Sequence, residues 1–253
     1  MASILLTSPG RCGSHWLGWM LRDATGLRKY PLVPQGTDRD ARWEGLVREA
    51  VEHAKKGYFF IQHPPFHYLR EIPITTQIIA LVRDPRDIAI SMAYYALRED
   101  ADLDKIEISW QAVGLPRDGS EEEMLSYCKE QGFNLPWWLS YMANVPGYRV
   151  PHILVRYEDL MQDTEGELAR ILRCLGRSLP QEEIRNIVQG RSFGSFAEGR
   201  ERGIEDKSHH YRKGVAGDWA NYFTEEENTR FCAKYKWYME HFGYEEKSNG
   251  DTM

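Results

Sequence analysis

Four short apolar runs place the strongest constraint on how this chain folds. They cover Ser3–Thr7, Tyr58–Gln62, Gln77–Val82 and His152–Arg156. Each run is nearly continuous in apolar residues, whereas a strand with one exposed face would alternate between apolar and polar residues. Continuous runs of this length are typical of parallel strands that are covered on both faces. The sequence therefore predicts a mainly parallel sheet.

Helical patterns separate these runs and follow the last of them. The predicted helices cover Ser14–Thr25, Asp40–Lys56, Pro85–Leu97, Thr164–Leu175, Pro180–Gln189 and Thr224–His241. Pro85 suits a first helical turn, and Thr224 with Glu227 forms a capping box. Alternation of strands and helices predicts an α/β fold with helices on both sides of the sheet. Ligands of such folds bind beyond the carboxyl ends of the strands.

Length, charge and cysteine spacing limit the classes of function. A chain of 253 residues suits one domain, predicted here as 1–245, followed by a polar tail, 246–253, predicted to be disordered. A net charge of −6 with scattered cations argues against a nucleic-acid partner. The start of the chain lacks signal-peptide features, and no apolar run could cross a bilayer. Four widely spaced cysteines show no metal-ligand spacing. These features predict a cytoplasmic protein without a membrane partner or metal.

The first candidate motif is the loop Ser8–Gly13, which connects the first run to a helix. Its two glycines allow backbone N–H groups to converge on an anion, and the helix dipole adds attraction. Arg11 supplies a positive charge and a forked set of donors. No Gly-Lys-Ser/Thr closes the loop, so it is not a Walker A motif. An ordinary glycine-containing turn is the alternative interpretation.

The second motif begins where the third apolar run ends. Arg83 leaves the predicted strand at its carboxyl end, and Ser91 lies two turns into the following helix. An arginine and a hydroxyl in these positions can bind one phosphate group. In the alternative interpretation, Arg83 and Arg86 only form ion pairs with the two aspartates of the same motif.

The third motif is the segment Tyr211–Trp219, which lies between two helical regions. The adjacent cations Arg212 and Lys213 are followed by Gly214 and Gly217. A loop of this composition can surround a dianion with side-chain and backbone donors together. A solvated basic turn is the alternative.

In this order and spacing, the three motifs resemble the signature with which cytosolic sulfotransferases bind 3′-phosphoadenosine-5′-phosphosulfate (PAPS). Three further stretches match the same family, namely Val155–Leu160, Glu165–Gly176 and Ser192–Phe193. The resemblance implies a P-loop-like phosphosulfate-binding loop. It also implies transfer of a sulfuryl group from PAPS to a hydroxyl or amine of a small-molecule acceptor, with 3′-phosphoadenosine-5′-phosphate (PAP) as the product.

The resemblance also implies roles for individual residues. The 5′-phosphosulfate would be held by Arg11, Gly13, Ser14 and His15, and the 3′-phosphate by Arg83, Ser91, Arg212, Lys213 and Gly214. The adenine would lie among Trp16, Tyr157 and Phe193, with Cys12, Ser192 and Tyr211 as further cofactor-binding residues. For Trp16, plain core packing is the alternative.

A general base must remove the proton of the acceptor, and His63 is the candidate. Histidine suits this task because its ordinary pKa lies near neutral pH. His63 directly follows the second run and matches the histidine of the family's Lys-Thr-His, while His67 is the alternative. Two departures affect the leaving-group side. The family's lysine two residues before the base is Ile61 here, and Arg11 replaces the lysine of the phosphosulfate loop and becomes the candidate for stabilising the leaving group.

Other functions remain open at this point. A nucleotide or small-molecule kinase could use a similar sheet, but it has no 3′-phosphate for Arg212 and Lys213 to bind. A catalytically inactive nucleotide-binding protein is the alternative from another class. The acceptor is not identified by the sequence. The family's dimer motif corresponds to Ala220, Thr224, Glu225 and Thr229, of which only one threonine is kept. A monomer and a dimer of another type therefore both remain open.

Overall fold

A computed structural model describes residues 3–29, 56–62, 77–98, 120–132 and 152–245. The chain forms two compact units. The first, here called the sheet unit, comprises Met1–Arg83 and Ser140–Val215. The second, here called the helical unit, comprises Asp84–Leu139 and Ala216–Met253.

The sheet has five parallel strands among the described residues. They are β1 (Ile4–Thr7), β2 (Arg28–Lys29), β3 (Tyr58–Gln62), β4 (Gln77–Val82) and β5 (His152–Arg156), in the spatial order β2-β3-β1-β4-β5. The predicted parallel sheet is confirmed, and four of its strands fall within one residue of the predicted bounds. The fifth strand, β2, was not predicted, because two exposed residues carry no periodic pattern.

The centre of the sheet is completely buried, which explains the continuous apolar runs. Ile4, Leu5 and Leu6 of β1 are buried in succession, so both faces of this strand are covered. In the register of the sheet, Thr7 at the end of β1 lies beside Gln62 of β3 and Ala80 of β4. The carboxyl ends of the three central strands therefore lie along one rim, as the sequence predicts.

The helices agree with most of the predicted bounds. In chain order they are α1 (Ser14–Thr25), α2 (Pro85–Ala96), α3 (Glu121–Gln131), α4 (Tyr157–Gln162), α5 (Thr164–Cys174), α6 (Gln181–Gly190), α7 (Phe193–Phe196), a 3-10 helix (Asp218–Asn221), α8 (Glu225–Lys234) and α9 (Lys236–Phe242). The predicted helix over 40–56 lies outside the described residues, apart from Lys56. Within the described part of the chain, no helix is long and apolar enough to cross a bilayer.

The prediction of one continuous helix over Thr224–His241 is wrong, because the helix breaks at Tyr235. Its backbone has φ −108°, and the residue separates α8 from α9. The side chain is 4% exposed, and its hydroxyl donates to the carbonyl of Gln131 at the end of α3. The ring lies so close to Gly132 that a Cβ there would approach it to 2.4 Å. Anchoring of Tyr235 to the end of α3 thus accompanies the break in helical geometry.

Candidate active site

The loop after β1 has the backbone geometry of an anion-binding site. Arg11 adopts φ 53° and Gly13 φ 85°, both in the left-handed region. Gly13 is the N-cap of α1, which has neither a side-chain cap nor an acidic residue in its first turn. The amide groups at a helix start have no intrahelical acceptors, and left-handed residues before them form a concave set of N–H donors. These features are typical of loops that bind a negatively charged group.

Gly13 must be glycine for a second reason. A Cβ at this position would lie 2.9 Å from the ring of Tyr157, closer than real Cβ contacts allow. Tyr157 is buried and is the first residue of α4, immediately after β5. The Tyr157 ring therefore packs directly on this loop, and any side chain at Gly13 would displace either the ring or the loop.

Arg11 and two histidine rings lie beside the same loop. The Arg11 guanidinium donates to the carbonyl of His210 at 3.2 Å. The exposed His15 ring stacks on the His210 ring, with centroids 5.8 Å apart. The positive charge of Arg11 and the two imidazoles thus lie beside the start of α1.

Cys12 has a structural role within the loop. Its thiol is buried and donates to the carbonyl of Gly10 at 3.1 Å. Burial raises the pKa of Cys12 strongly, and the nearby Arg83 opposes this shift only in part. The thiol therefore stays protonated and holds the turn instead of acting as a nucleophile.

Arg83 connects the first motif to the third. It is 9% exposed, and it donates to the carbonyls of Arg11 at 3.1 Å and Val215 at 2.9 Å. Its guanidinium also lies over the ring of Tyr157, 4.5 Å from the centroid. The alternative interpretation of Arg83 as a partner of the neighbouring aspartates does not describe these contacts, all of which lie within the sheet unit.

Trp16 is buried and packs into the same cluster. Its indole N–H donates to the carbonyl of Arg191 at 2.8 Å, and its ring meets Tyr157 edge-on with centroids 6.1 Å apart. The guanidinium of Arg202 lies 4.8 Å from the centre of the Trp16 ring. No local sequence pattern marks Arg202, since its position beside Trp16 depends on a contact made by the fold.

Phe193 and Gly214 come together across a sequence separation that no local pattern reveals. Ser192 is the N-cap of α7, and Phe193 is its first residue. Gly214 adopts φ 67°, and a Cβ there would lie 2.4 Å from the Phe193 ring. One of the predicted adenine-binding residues thus packs on the glycine of the third motif.

The cations of the third motif lie on a hairpin formed by residues 203–213, with one arm at 203–206 and the other at 211–213. The N–H of Gly203 donates to the carbonyl of Lys213, and the N–H of Asp206 donates to the carbonyl of Arg212, both at 2.9 Å. The Arg212 guanidinium pairs with Glu205 on the opposite arm. The hairpin therefore presents Arg212 in a defined position with an internal carboxylate partner.

An aromatic cluster surrounds Tyr211, which directly precedes Arg212 on this hairpin. Its ring packs against Phe196 at 5.3 Å and edge-on against His210 at 4.9 Å between centroids. Burial raises the pKa of Tyr211, which outweighs the lowering by Arg11. The phenol therefore stays neutral near pH 7.

For Arg86, the ion-pair interpretation of the second motif is correct. Within the helical unit, Arg86 and Asp84 form a buried pair at 2.7 Å. Burial raises the pKa of Asp84, and the hydrogen bonds from Arg86 oppose that shift. Asp87 accepts the N–H groups of Gly217 at 2.8 Å and Trp219 at 2.9 Å. Arg86 and Asp87 are thus structural residues of the helical unit.

The structure brings most of the predicted residues together, but not all. The sheet unit contains the contacts among Arg11, Gly13, Trp16, Arg83, Tyr157, Phe193, Tyr211, Arg212 and Gly214. Ser91 is half-buried on α2 of the helical unit. His63 and His67 lie outside the described residues. In the described part of the chain, no group of three or more His, Cys, Asp or Glu side chains could hold a metal ion.

A Gly214→Ala substitution is expected to weaken PAP binding by about tenfold or more, because a well-packed site tolerates an added methyl group poorly. The new Cβ would collide with Phe193 and strain the backbone at φ 67°. Calorimetric titration with PAP measures the effect. Gly176→Ala is the matched control, since Gly176 has φ 70° and open space around it. Equal PAP affinity in both variants would contradict the assignment of Gly214 to the site.

Comparison with known proteins identifies relatives over nearly the whole chain. Residues 2–243 match the family model described as the sulfotransferase domain. Human sulfotransferase 2A1 is 26% identical over 238 residues, which cover 87% of this chain and 78% of that protein. Rat sulfotransferase 1A1 is 29% identical over 218 residues, which cover 82% of this chain and 67% of that protein.

Solved structures share the fold. The crystal structure of mouse sulfotransferase SULT7A1 complexed with PAP superposes with a TM-score of 0.66 at 22% identity, covering 94% of this chain and 85% of that one. Retinol dehydratase in complex with androsterone and the inactive cofactor PAP superposes with a TM-score of 0.63 at 17% identity, covering 99% of this chain and 83% of that one. The predicted α/β architecture with a central parallel sheet is thus confirmed.

Proposed function

We propose a donor site and an acceptor class for this chain, which belongs to the sulfotransferase family and is a PAPS-dependent sulfotransferase. The acceptor is a hydroxyl or amine of a small molecule. The donor is held at the cluster around Arg11 and Arg83. The kinase alternative is not favoured, because the family match covers residues 2–243. The extent predicted for the domain, 1–245, and the disordered tail, 246–253, remain predictions, and the tail lies outside the described residues.

The contacts of Arg83 are the observation that carries the assignment of the donor site. One buried guanidinium contacts the backbone of the loop after β1, the Tyr157 ring and the carbonyl of Val215 in the third motif. PAPS carries a 5′-phosphosulfate and a 3′-phosphate on one ribose, and we assign Arg11 to the first group and Arg212 to the second. The donor set therefore suits PAPS, which when bound supplies the sulfuryl group and leaves as PAP.

We assign the remaining donor residues from the family resemblance and from their place in the chain. We assign Gly13, Ser14 and His15 to the 5′-phosphosulfate, where the start of α1 offers backbone N–H groups. Lys213 and Gly214 join Arg212 at the 3′-phosphate, and Ser91 is assigned there from the family motif. Trp16, Tyr157 and Phe193 are assigned to the adenine, with Cys12, Ser192 and Tyr211 supporting them.

Proton removal is assigned to His63. The chain leaves β3 at Gln62, beside Thr7, at the rim where the anion-binding loop begins. The next residue in the sequence is therefore a suitable general base for an acceptor at that rim. The acceptor oxygen or nitrogen would give its proton to the imidazole and form the new bond to sulfur, while the bond between sulfur and the bridging oxygen of the 5′-phosphate breaks and PAP leaves. Arg11 is assigned to the charge that develops on the leaving oxygen, since Ile61 offers no cation.

Assembly and location remain predictions. Thr224, the threonine kept from the family's dimer motif, forms the capping box of α8 with Glu227. This local role explains its presence without a dimer, so a monomer and a dimer of another type stay open. A cytoplasmic location agrees with the family resemblance and stays a prediction.

A titration with nucleotides tests the proposed donor site. We expect wild-type protein to bind PAP at least about tenfold more tightly than AMP or ADP, since charged hydrogen bonds to a 3′-phosphate contribute about 1.5–3 kcal/mol. Arg212→Ala is expected to remove most of this preference. Arg185→Ala serves as the control, because Arg185 is exposed on α6 and pairs only loosely with Glu165 at 3.8 Å.

The titration also separates the rival functions. A preference for PAP that is lost in Arg212→Ala justifies screening acceptors with PAPS for a mass gain of one SO₃. Equal or tighter binding of ADP would contradict the proposed donor site and restore the kinase to consideration.

A further inference from the structure

Arg200 forms hydrogen bonds to the main chain of the hairpin of the third motif, although no local sequence pattern marks this residue. Its guanidinium donates to the carbonyls of Ile204 at 2.7 Å, Tyr211 at 2.7 Å and Arg212 at 2.6 Å. These acceptors lie on both arms of the hairpin. One side chain therefore fixes the distance between the arms.

This arrangement also fixes the carboxylate that pairs with Arg212. Glu205 directly follows Ile204, whose carbonyl Arg200 holds. Glu205 in turn pairs with Arg212 from the opposite arm. Arg200 thus orients the backbone of Arg212 directly and its side chain through Glu205.

Arg200 also reaches the residue assigned to the adenine. Its guanidinium lies 5.5 Å from the centre of the Phe193 ring, and that ring packs on Gly214. A planar, forked guanidinium can serve several carbonyls and a ring face at once, whereas a lysine ammonium offers a single charged point. The chemistry of this position is therefore specific for arginine.

We propose that Arg200 is a positioning residue that holds Arg212 in the conformation that recognises the 3′-phosphate. Its hydrogen bonds within the described residues go to main-chain carbonyls, so it acts through the hairpin and not by direct contact with the phosphate. The proposal rests on the proposed donor site. It makes Arg200 a determinant of selectivity between PAP and AMP, which differ only in the 3′-phosphate.

The test compares wild type, Arg200→Lys and Arg200→Gln by calorimetric titration with PAP and with AMP. We expect the preference for PAP over AMP to fall about tenfold in both variants, because each loses charged hydrogen bonds that a lysine or glutamine cannot replace together. The affinity for AMP should change by less than about threefold. The matched control is Arg170→Lys, since Arg170 also donates to a main-chain carbonyl, that of Leu154, but on α5 away from the hairpin.

The number of binding sites per chain, measured in the same titration, distinguishes a misfolded variant from one that has lost its selectivity for PAP. A variant that merely folds poorly shows fewer binding sites per chain with an unchanged ratio of PAP to AMP affinity, and this result would overturn the proposal. A lower ratio at full stoichiometry supports it. A wild-type protein without preference for PAP would instead contradict the donor site itself, so the two failures are distinguishable.

A double-mutant cycle with Arg212→Ala tests the route of the effect. If Arg200 acts through Arg212, the double variant should lose no more than about threefold beyond Arg212→Ala alone, because coupled residues are not additive. Full additivity of the two losses would overturn the proposed route through Arg212.

Discussion

A His63→Ala variant is expected to lose about 10²- to 10⁴-fold in turnover, the usual contribution of a general base. PAP affinity should stay within about twofold of wild type, because a base that contacts only the acceptor makes no contribution to nucleotide binding. His63 follows β3 directly in the sequence, and β3 ends beside the strand that leads into the anion-binding loop. Steady-state rates with an acceptor found by the mass screen, together with PAP titration, measure both quantities.

The second candidate base provides the control. His67→Ala is expected to keep turnover within about threefold of wild type, because a residue that does not take the acceptor proton contributes little to the rate. A large loss in His67→Ala with normal rates in His63→Ala would transfer the role to His67. Loss of PAP affinity in His63→Ala would show that this residue belongs to the donor site.

The strands could be predicted because burial on both faces leaves a direct mark on the sequence. Residues 4–6 of β1 and 78–82 of β4 are apolar throughout, since they occupy the centre of the sheet. The two exposed residues of β2 carry no such mark. Tyr235 illustrates the reverse case. The local sequence is compatible with a continuous helix, but the hydrogen bond from Tyr235 to the end of α3 accompanies a break, and the local pattern holds no information about this contact.

The residues of the candidate site also fall into two groups, those that a local sequence pattern marks and those whose role depends on the fold. The loop after β1 and the third motif could be singled out from their glycines and cations, because these residue types form a local pattern in the sequence. Arg200 and Arg202 were missed, since their importance arises from contacts with the hairpin and with Trp16. The sequence also left the roles of Arg83 and Arg86 open. Only the fold separates them, by giving one carbonyl acceptors in the sheet unit and the other a buried carboxylate in the helical unit.

That separation leads to a second prediction of large effect. Arg83→Met is expected to weaken PAP binding by about a hundredfold or more, because truncating a buried charged partner commonly costs about 2–5 kcal/mol. The substitution removes a proposed ligand of the 3′-phosphate. It also removes the donors that hold the carbonyls of Arg11 and Val215. Arg83→Lys should fall between wild type and Arg83→Met, since an ammonium keeps the charge but not the fork.

Arg86→Met is the matched control from the same motif. Arg86 is buried like Arg83, with 4% of its surface exposed against 9%, but it binds Asp84 and Asn228 in the helical unit. Breaking a buried pair costs about 3–5 kcal/mol, so the midpoint of thermal unfolding should fall while the folded protein keeps its preference for PAP over AMP. Titrations well below that midpoint decide between the two roles. A loss of the preference in Arg86→Met, or its retention in Arg83→Met, would mean that the fold does not divide the two arginines into a ligand and a structural residue.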